Sequence, residues 1–196
     1  SQKVRVVAAS QPLLPPVIQE GVFDAVSEAL YYNRWLNIDY SNAHGTRRQV
    51  EVMPLGLAQQ GSRLYLVCRF KGYDNERSLA LNRITSAVCS TFHFSRPTDF
   101  NLKRYDDDGR FGFGEGRHIR IHFTLETARA QLLLESPLSS DQQVSELDDG
   151  RLRFSVTVVD SPMLDGFLAT FGNTISNIKR DIDDVSTEQE NNDEYR

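Results

Sequence analysis

The stretch GSRLYLVCRFKGYDNERSLALNRI, residues 61–84, decides the fold of the first half of the chain. Its first apolar run alternates with the period of a half-buried strand, and the two faces carry Leu64, Leu66, Cys68 and Phe70, against Tyr65, Val67 and Arg69. Its second run places Arg77 and Arg83 on the same parity as Leu79 and Leu81. The loop KGYDNE separates the runs, so the stretch predicts an antiparallel hairpin. A strand needs neither arginine for stability, which makes both candidates for binding.

Short strands and tight turns surround this hairpin. A helical period begins at Gly21, and alternating runs follow at residues 35–41 and 47–57. Pro54 is expected to end regular pairing or to lie at a sheet edge, and Trp35 is expected in the core. Residues 77–94 predict one long strand or two short ones. One helix followed by about five short strands predicts a small, strongly bent antiparallel barrel.

The pattern dissolves in RPTDFNLKRYDDDGRFGFGEG, residues 96–116. No apolar strand leads into its glycines and no helix follows them, so a linker is predicted rather than a phosphate-binding loop. Limited proteolysis is expected to cut either there or in the acidic tail.

A second unit begins at HIRIHFTL, residues 118–125, which alternates as a strand. His118 and His122 have a metal-ligand spacing only for a helix, so a solvated strand face is predicted instead of a zinc site. The remaining elements give the order βαββαβ, which is the ferredoxin-like arrangement. Its sheet is expected to leave one face open, and a symmetric homodimer is therefore predicted. The residues on this face are Arg151, Arg153, Thr157 and Val159.

The composition is typical of a globular domain, with 196 residues, 39% hydrophobic and 25% charged. No apolar run reaches the roughly 20 residues of a membrane span and no signal peptide is present, so a cytoplasmic protein with no membrane partner is predicted. Cys68 and Cys89 are interpreted as buried free thiols. The net charge of −5 gives no reason to bind duplex DNA, so any nucleic-acid contact must be local. The absence of nucleophile, phosphate-loop and metal motifs predicts no cofactor, no metal and no enzymatic activity.

An ordered series of segments resembles the WYL domain, a family named after a Trp-Tyr-Leu strand. The series is FDAVSEALYYNRWLNIDY, RRQVEVMPLGL, RLYLVCRF and ERSLALNRI. TDFNLKRY, followed by the βαββαβ unit with its FLATFGNTI stretch, is similar to the WCX extension that follows WYL domains. Two positions depart from the family: Leu64 stands where Trp is usual, and Asn82 where an Asp often precedes the Arg-Ile pair.

The resemblance implies the effector-sensing and dimerisation fragment of a bacterial transcription regulator that lacks its N-terminal winged helix-turn-helix. It implies an α+β chain with an Sm-like, SH3-type barrel followed by a ferredoxin-like unit. The implied partners are an anionic effector, a second copy of the chain, and operator DNA through the missing domain. The expected segments are a linker at 1–16, WYL at 17–98, a linker at 99–116, WCX at 117–180 and an acidic tail at 181–196.

By resemblance, the WYL ligand surface is lined by Tyr65, Arg77 and Arg83 together with Arg47 or Arg48. Guanidinium groups bind two phosphate oxygens at once and a tyrosine ring can stack on a base, so the implied effector is a nucleotide or short single-stranded nucleic acid. Arg77 and Arg83 lie about 20 Å apart along an extended strand, so one small ligand reaches both only if the strand bends. Weaker candidates are Arg69, Tyr40, Ser41 and His44.

Two alternatives stay open at this point. The arginines can be strand-edge charges, with Tyr65 merely packing against its neighbours. The chain can also be a stand-alone Sm-like protein that binds RNA or single-stranded DNA, because such barrels often bind RNA.

Overall fold

A computed structural model describes residues 2–181 as a mixture of helices and antiparallel strands, and the predicted α+β class is confirmed. The chain divides into two compact units between Leu102 and Lys103, a boundary that lies inside the predicted 99–116 linker. Residues 2–21 contain no helix or strand. The predicted acidic tail lies outside the described residues, apart from Asp181. None of the described helices is long and apolar enough to cross a membrane.

The first unit consists of one helix and a five-stranded antiparallel sheet. Its elements are α1 (Val22–Tyr32), β1 (Arg34–Ser41), β2 (Arg47–Gln60), β3 (Arg63–Phe70), β4 (Glu76–Ala80) and β5 (Ile84–His93). The strand order is β4-β3-β2-β1-β5, and a 3₁₀ turn at Leu81–Arg83 joins β4 to β5. The predicted helix and strands are therefore confirmed, with two strands in residues 77–94. Within residues 2–181 no pairing joins β4 to β5, so the predicted closed barrel is not confirmed.

The core of this unit lies between α1 and one face of the sheet. Val22, Val26 and Ala29 of the helix pack with the inward residues of the strands. In β3 the alternation is as predicted, because Leu66 and Cys68 are fully buried on this face. Trp35 has the opposite parity to the inward residues of β1, so its expected core position was wrong. Its ring is half-buried and contacts the ring of Phe94 and the ammonium group of Lys71.

Strand β2 continues through Pro54 instead of ending there. It pairs with β1 as far as Val52 and then runs along β3 to Gln60, with a register shift between Pro54 and Gly56. Proline lacks an N–H donor, and this loss is tolerated where pairing with β1 has already ended. The proline therefore marks a change of partner along the strand rather than its end.

Residues 96–102 form a strap against the second face of the sheet. Arg96 donates a hydrogen bond to the carbonyl of Leu55 at 2.7 Å, and Asp99 accepts one from Arg69 at 3.1 Å. Gly56 allows Leu102 to approach closely, because a Cβ at that position would lie 3.0 Å from Leu102 Cδ2. Val67 and Arg69 both lie on this second face of β3, where Val67 is fully buried and Arg69 is 9% exposed.

The second unit has the βαββαβ element order that the sequence predicts. The elements are β6 (His118–Leu125), α3 (Thr127–Glu135), β7 (Gln143–Glu146), β8 (Leu152–Val159), α4 (Pro162–Ala169) and β9 (Ile175–Asp181). The antiparallel strand order is β7-β8-β6-β9. Before β6, the predicted linker contains the short helix α2 (Leu102–Asp107) and a 3₁₀ turn at Arg110–Gly112, so it has more structure than its sequence indicates.

The two faces of this second sheet differ in character. The inner face is apolar and includes Phe123 and Phe154, whose rings stack with centroids 5.3 Å apart. On the other face Arg153 donates hydrogen bonds to Thr124 and to the carbonyl of Asn177. Val159 is not open as expected, because residues of the preceding loop lie against it. A Cβ added at Gly109 or Gly114 would come within 2.7 Å or 2.9 Å of Val159 Cγ1.

The two histidines of β6 have separate partners. His122 Nε2 lies 2.8 Å from a carboxylate oxygen of Asp181, and His118 Nδ1 lies 3.0 Å from the carbonyl of Gly116. Among the described residues no group of three or more His, Cys, Asp or Glu side chains is placed to hold a metal ion.

Candidate ligand-binding site

A small cavity lies where the end of β1 faces the edge strand β4 and the 3₁₀ turn. Its volume is about 190 Å³, and its lining comes from residues 40–43, residues 77–80 and Arg83. The lining includes no acidic residue but two arginines, Arg77 and Arg83. Uncompensated guanidinium groups around a concave surface create a positive potential, so this cavity favours an anionic ligand.

The 3₁₀ turn brings Arg77 and Arg83 together. Strand β4 ends at Ala80, and the turn at Leu81–Arg83 replaces extended backbone with a tighter coil that rises only about 2 Å per residue. The extended separation calculated from the sequence therefore does not apply, and one small ligand can contact both side chains. Within residues 2–181 neither guanidinium group is in an ion pair with a carboxylate.

Arg77 and the neighbouring Arg48 contact aromatic rings. The Cζ atom of Arg77 lies 4.3 Å from the ring centre of Phe70 and 5.7 Å from that of Tyr73. Arg48 places its Cζ atom 5.8 Å from the same Phe70 ring, and Tyr40 packs edge-on against it at 5.9 Å. A cation–π contact orients a guanidinium group without neutralising its charge. Arg77 and Arg48 therefore keep their charge available to an anion.

The pairing register of β1 with β2 places Arg48 and Arg47 on opposite faces of the sheet. Arg48 lies opposite Tyr40 and on the same face as Phe70, whereas Arg47 lies opposite Ser41 on the other face. Both side chains are exposed. The register therefore places Arg48, and not Arg47, on the face that carries Phe70 and Arg77.

Tyr65 is not among the residues that line the cavity. It pairs with Ala80 across the β3–β4 ladder, while Arg77 pairs with Cys68. Residues directly opposite in a ladder share a face, so Arg77 lies on the face of Cys68 and Tyr65 lies on the other. The structure thus separates the predicted stacking residue from the predicted phosphate ligands.

Arg69 is held in an ion-pair cluster on the same side as the strap. Its Nη2 atom lies 2.8 Å from Glu76 Oε1 and 3.1 Å from Asp99 Oδ1. Burial opposes the charged form, but the hydrogen bonds and charges of Glu76 and Asp99 outweigh it and raise the pKa of Arg69 above its ordinary value. This arginine is committed to two carboxylates and is not placed to bind the cavity's ligand.

The weaker candidates from β1 and the turn after it divide in the same way. Tyr40 lines the cavity and is only 8% exposed. Ser41 lines it as well. His44 is exposed in the turn next to the lining residue Ala43, where its backbone N–H donates to Asn42 Oδ1 at 2.9 Å. His44 therefore belongs to the loop at the rim of the cavity and not to its lining.

Cys68, which lies opposite Arg77 in the β3–β4 ladder, has an unreactive thiol. Burial raises the pKa of the Cys68 thiol to about 12, although the nearby charge of Arg77 acts in the opposite direction. The thiol is therefore protonated near neutral pH and is not a nucleophile. Cys68 and Cys89 are both free, as predicted, but only Cys68 is fully buried.

Phe70 and Tyr73 contact the guanidinium group of Arg77, and sequence reasoning did not identify either as a candidate. Phe70 has the period of a core residue, and nothing in the sequence shows that its ring also supports two arginines. Tyr73 lies in the loop between β3 and β4, where periodicity carries no information about facing. Its position four residues before Arg77 was the only available signal.

Two comparisons with known proteins found similarities to this chain. The family model of the WYL domain matches residues 21–89, a range that includes every residue lining the cavity. A solved structure of proteasome accessory factor B/C (PafBC) of Arthrobacter aurescens is similar at 23% sequence identity and a TM-score of 0.42. The similarity covers 89% of this chain and 27% of that one, so the chain spans about a quarter of the length of PafBC. No curated protein matches the sequence significantly.

Proposed function

We propose that the chain is the effector-sensing fragment of a bacterial transcription regulator, because residues 21–89 match the family model of the WYL domain. Its cavity is proposed to bind the phosphate groups of a nucleotide or a short single-stranded nucleic acid. The observation that carries this proposal is the convergence of Arg77 and Arg83 on one cavity whose lining has no acidic residue. Operator DNA would be recognised by a separate domain of the regulator.

The ligand chemistry follows from the donors of the site. Planar guanidinium groups bind two phosphate oxygens at once, and hydroxyl groups such as that of Tyr40 can donate to a third. The cavity of about 190 Å³ is smaller than the roughly 300–1,000 Å³ of pockets that enclose whole ligands. It therefore suits a phosphate group with part of its sugar, while the rest of the ligand lies on the protein surface.

We also propose the finer fold assignments that the resemblance implies. In the first unit, the return of β5 to pair with β1 supports an Sm-like, SH3-type barrel. In the second unit, the strand order β7-β8-β6-β9 is that expected for a ferredoxin-like WCX extension.

Binding of a labelled single-stranded oligonucleotide, followed by fluorescence anisotropy at several salt concentrations, tests the proposed function. We expect binding despite the net charge of −5, with affinity that falls as salt increases because phosphate neutralisation releases counterions. Arg48→Ala should weaken binding about 5-fold and reduce the slope of log affinity against log salt by about 0.7.

Arg47→Ala is the matched control, since it removes the same charge from the adjacent residue on the opposite face. It should leave both the affinity and the salt slope nearly unchanged. Equal losses in the two variants would mean that general charge rather than this site drives binding. No binding by the wild type would contradict the proposed function itself.

A symmetric homodimer is the proposed assembly. Strand β7 lies at an edge of the second sheet and all four of its residues are exposed. An exposed edge commonly pairs with a second copy of the same strand. Light scattering at tens of micromolar should give the mass of a dimer, and Val144→Lys, which places a charge on this edge, should give a monomer. A monomeric wild type would contradict dimerisation of this chain.

A further inference from the structure

We infer that Tyr73 stacks on a nucleobase of the ligand while Arg77 and Arg83 hold the attached phosphate. The ligand class is then a base-bearing nucleotide or oligonucleotide, and a sugar phosphate or inorganic phosphate would be a poor substitute. This inference rests on the proposed function and adds the element that recognises the base.

The position of Tyr73 is fixed by a tight turn. Gly72 adopts a φ of +85°, which glycine tolerates and most other residues do not, and the N–H of Tyr73 donates to the carbonyl of Phe70 at 3.0 Å. The turn places the Tyr73 ring beside Arg77, with Cζ 5.7 Å from the ring centre. Even so, the residue is 55% exposed. An exposed ring whose backbone is fixed by a turn can stack with less loss of conformational entropy than a ring on an irregular loop.

The small size of the cavity leaves part of a nucleotide on the protein surface outside it. A volume of about 190 Å³ is too small for a whole nucleotide, so a base joined to a phosphate in the cavity lies outside it. Arg77 both lines the cavity and contacts Tyr73. A base leaving the cavity on that side meets the tyrosine ring.

The neighbouring rings form the beginning of a stack. The Cζ atom of Arg77 lies 4.3 Å from the ring centre of Phe70 and 5.7 Å from that of Tyr73, so the cation contacts two aromatic rings. A base against Tyr73 adds a further layer, and stacking of this kind tolerates any base because each has a π-face. Tyr65, which the sequence suggested for this role, lies on the other face of β3.

The test compares two labelled chains of equal length and charge, an oligothymidylate of about eight nucleotides and its abasic counterpart. We expect the wild type to prefer the base-bearing chain about 10-fold, the usual scale for one stacked base. Tyr73→Ala should remove this preference by weakening only the base-bearing complex. Tyr73→Phe keeps the ring and should keep the preference, and Tyr31→Ala, at an exposed tyrosine of α1, is the matched control.

The alternative is that Tyr73 only positions Arg77. In that case Tyr73→Ala weakens both chains equally, and this result would overturn the inference. A preference that survives in Tyr73→Ala would overturn it as well. If the wild type binds both chains without preference, and Arg83→Ala weakens both, the proposed function stands and the stacking role fails. If the wild type binds neither chain, the proposed function and this inference fail together.

Discussion

The double substitution Arg77→Ala/Arg83→Ala should weaken binding of a single-stranded oligonucleotide about 100-fold or more at moderate salt. Each arginine can donate charge-assisted hydrogen bonds to phosphate, and losing one such contact costs about 1–3 kcal/mol. Both side chains line one cavity without a carboxylate in its lining, so no other lining residue replaces their charge. Because the two act on the same ligand, the combined loss need not equal the sum of the single losses.

Arg83→Ala alone should reduce affinity about 10-fold, because one charge-assisted contact to phosphate is lost. Its side chain belongs to the short 3₁₀ turn and not to the ring cluster around Phe70, so the contacts of Arg77 stay in place. The control is Arg151→Ala in the second unit, where the guanidinium group pairs with Asp149. Circular dichroism checks that each variant is folded. If the double variant and the wild type bind equally, Arg77 and Arg83 return to the role of strand-edge charges. Loss of binding only in Arg151→Ala would move the site to the second unit.

Arg69→Met should destabilise the first unit by about 3 kcal/mol. The substitution removes an ion-pair partner of Glu76, whose side chain is only 17% exposed, and taking away one charge of such a poorly solvated pair is strongly unfavourable. Asp99 is 75% exposed, so Asp99→Asn should cost less than about 1 kcal/mol. Urea unfolding reports the difference through the fluorescence of Trp35, the only tryptophan of the chain, which lies in the first unit.

The double variant Arg69→Met/Glu76→Gln separates charge from packing. Removing both charges should recover much of the lost stability, because the desolvation cost of a Glu76 carboxylate with too little attraction to offset it is then removed as well. If Arg69→Met is neutral while Asp99→Asn is strongly destabilising, the strap and not the buried pair controls the stability of this unit. Oligonucleotide binding by folded Asp99→Asn should be unchanged, since the strap contacts the face opposite the cavity.

Periodicity was sufficient to predict the strands and which residues share a face, but it could not predict what covers each face. The Tyr65, Val67 and Arg69 side of β3 reads as a solvent-facing surface with a free arginine. It is covered because residues 96–102, far along the chain, attach to it through Arg69 and Leu55. Such non-local contacts leave no periodic signal in the sequence.

The sequence indicated which arginines are candidates for the site, but it predicted their arrangement only in part. Arg77 and Arg83 were identified from their parity among leucines, but their convergence depends on a three-residue 3₁₀ turn that reads equally well as continuous strand. Arg48 and Arg47 could not be distinguished until the pairing with Tyr40 and Ser41 fixed the register. Tyr73 was overlooked because loops between strands have no regular facing pattern.

The place of the cavity at the rim of a sheet has a consequence for solubility. Strand β4 has a neighbour on one side only, so its remaining backbone groups form a template to which an extended segment of another chain could attach. A charged side chain within such a strand discourages that attachment, because the incoming chain would have to bury it. Arg77 stands at the second residue of β4. The guanidinium group that we propose to bind phosphate is therefore also expected to disfavour edge-to-edge aggregation, and replacing it by an uncharged residue should weaken both properties.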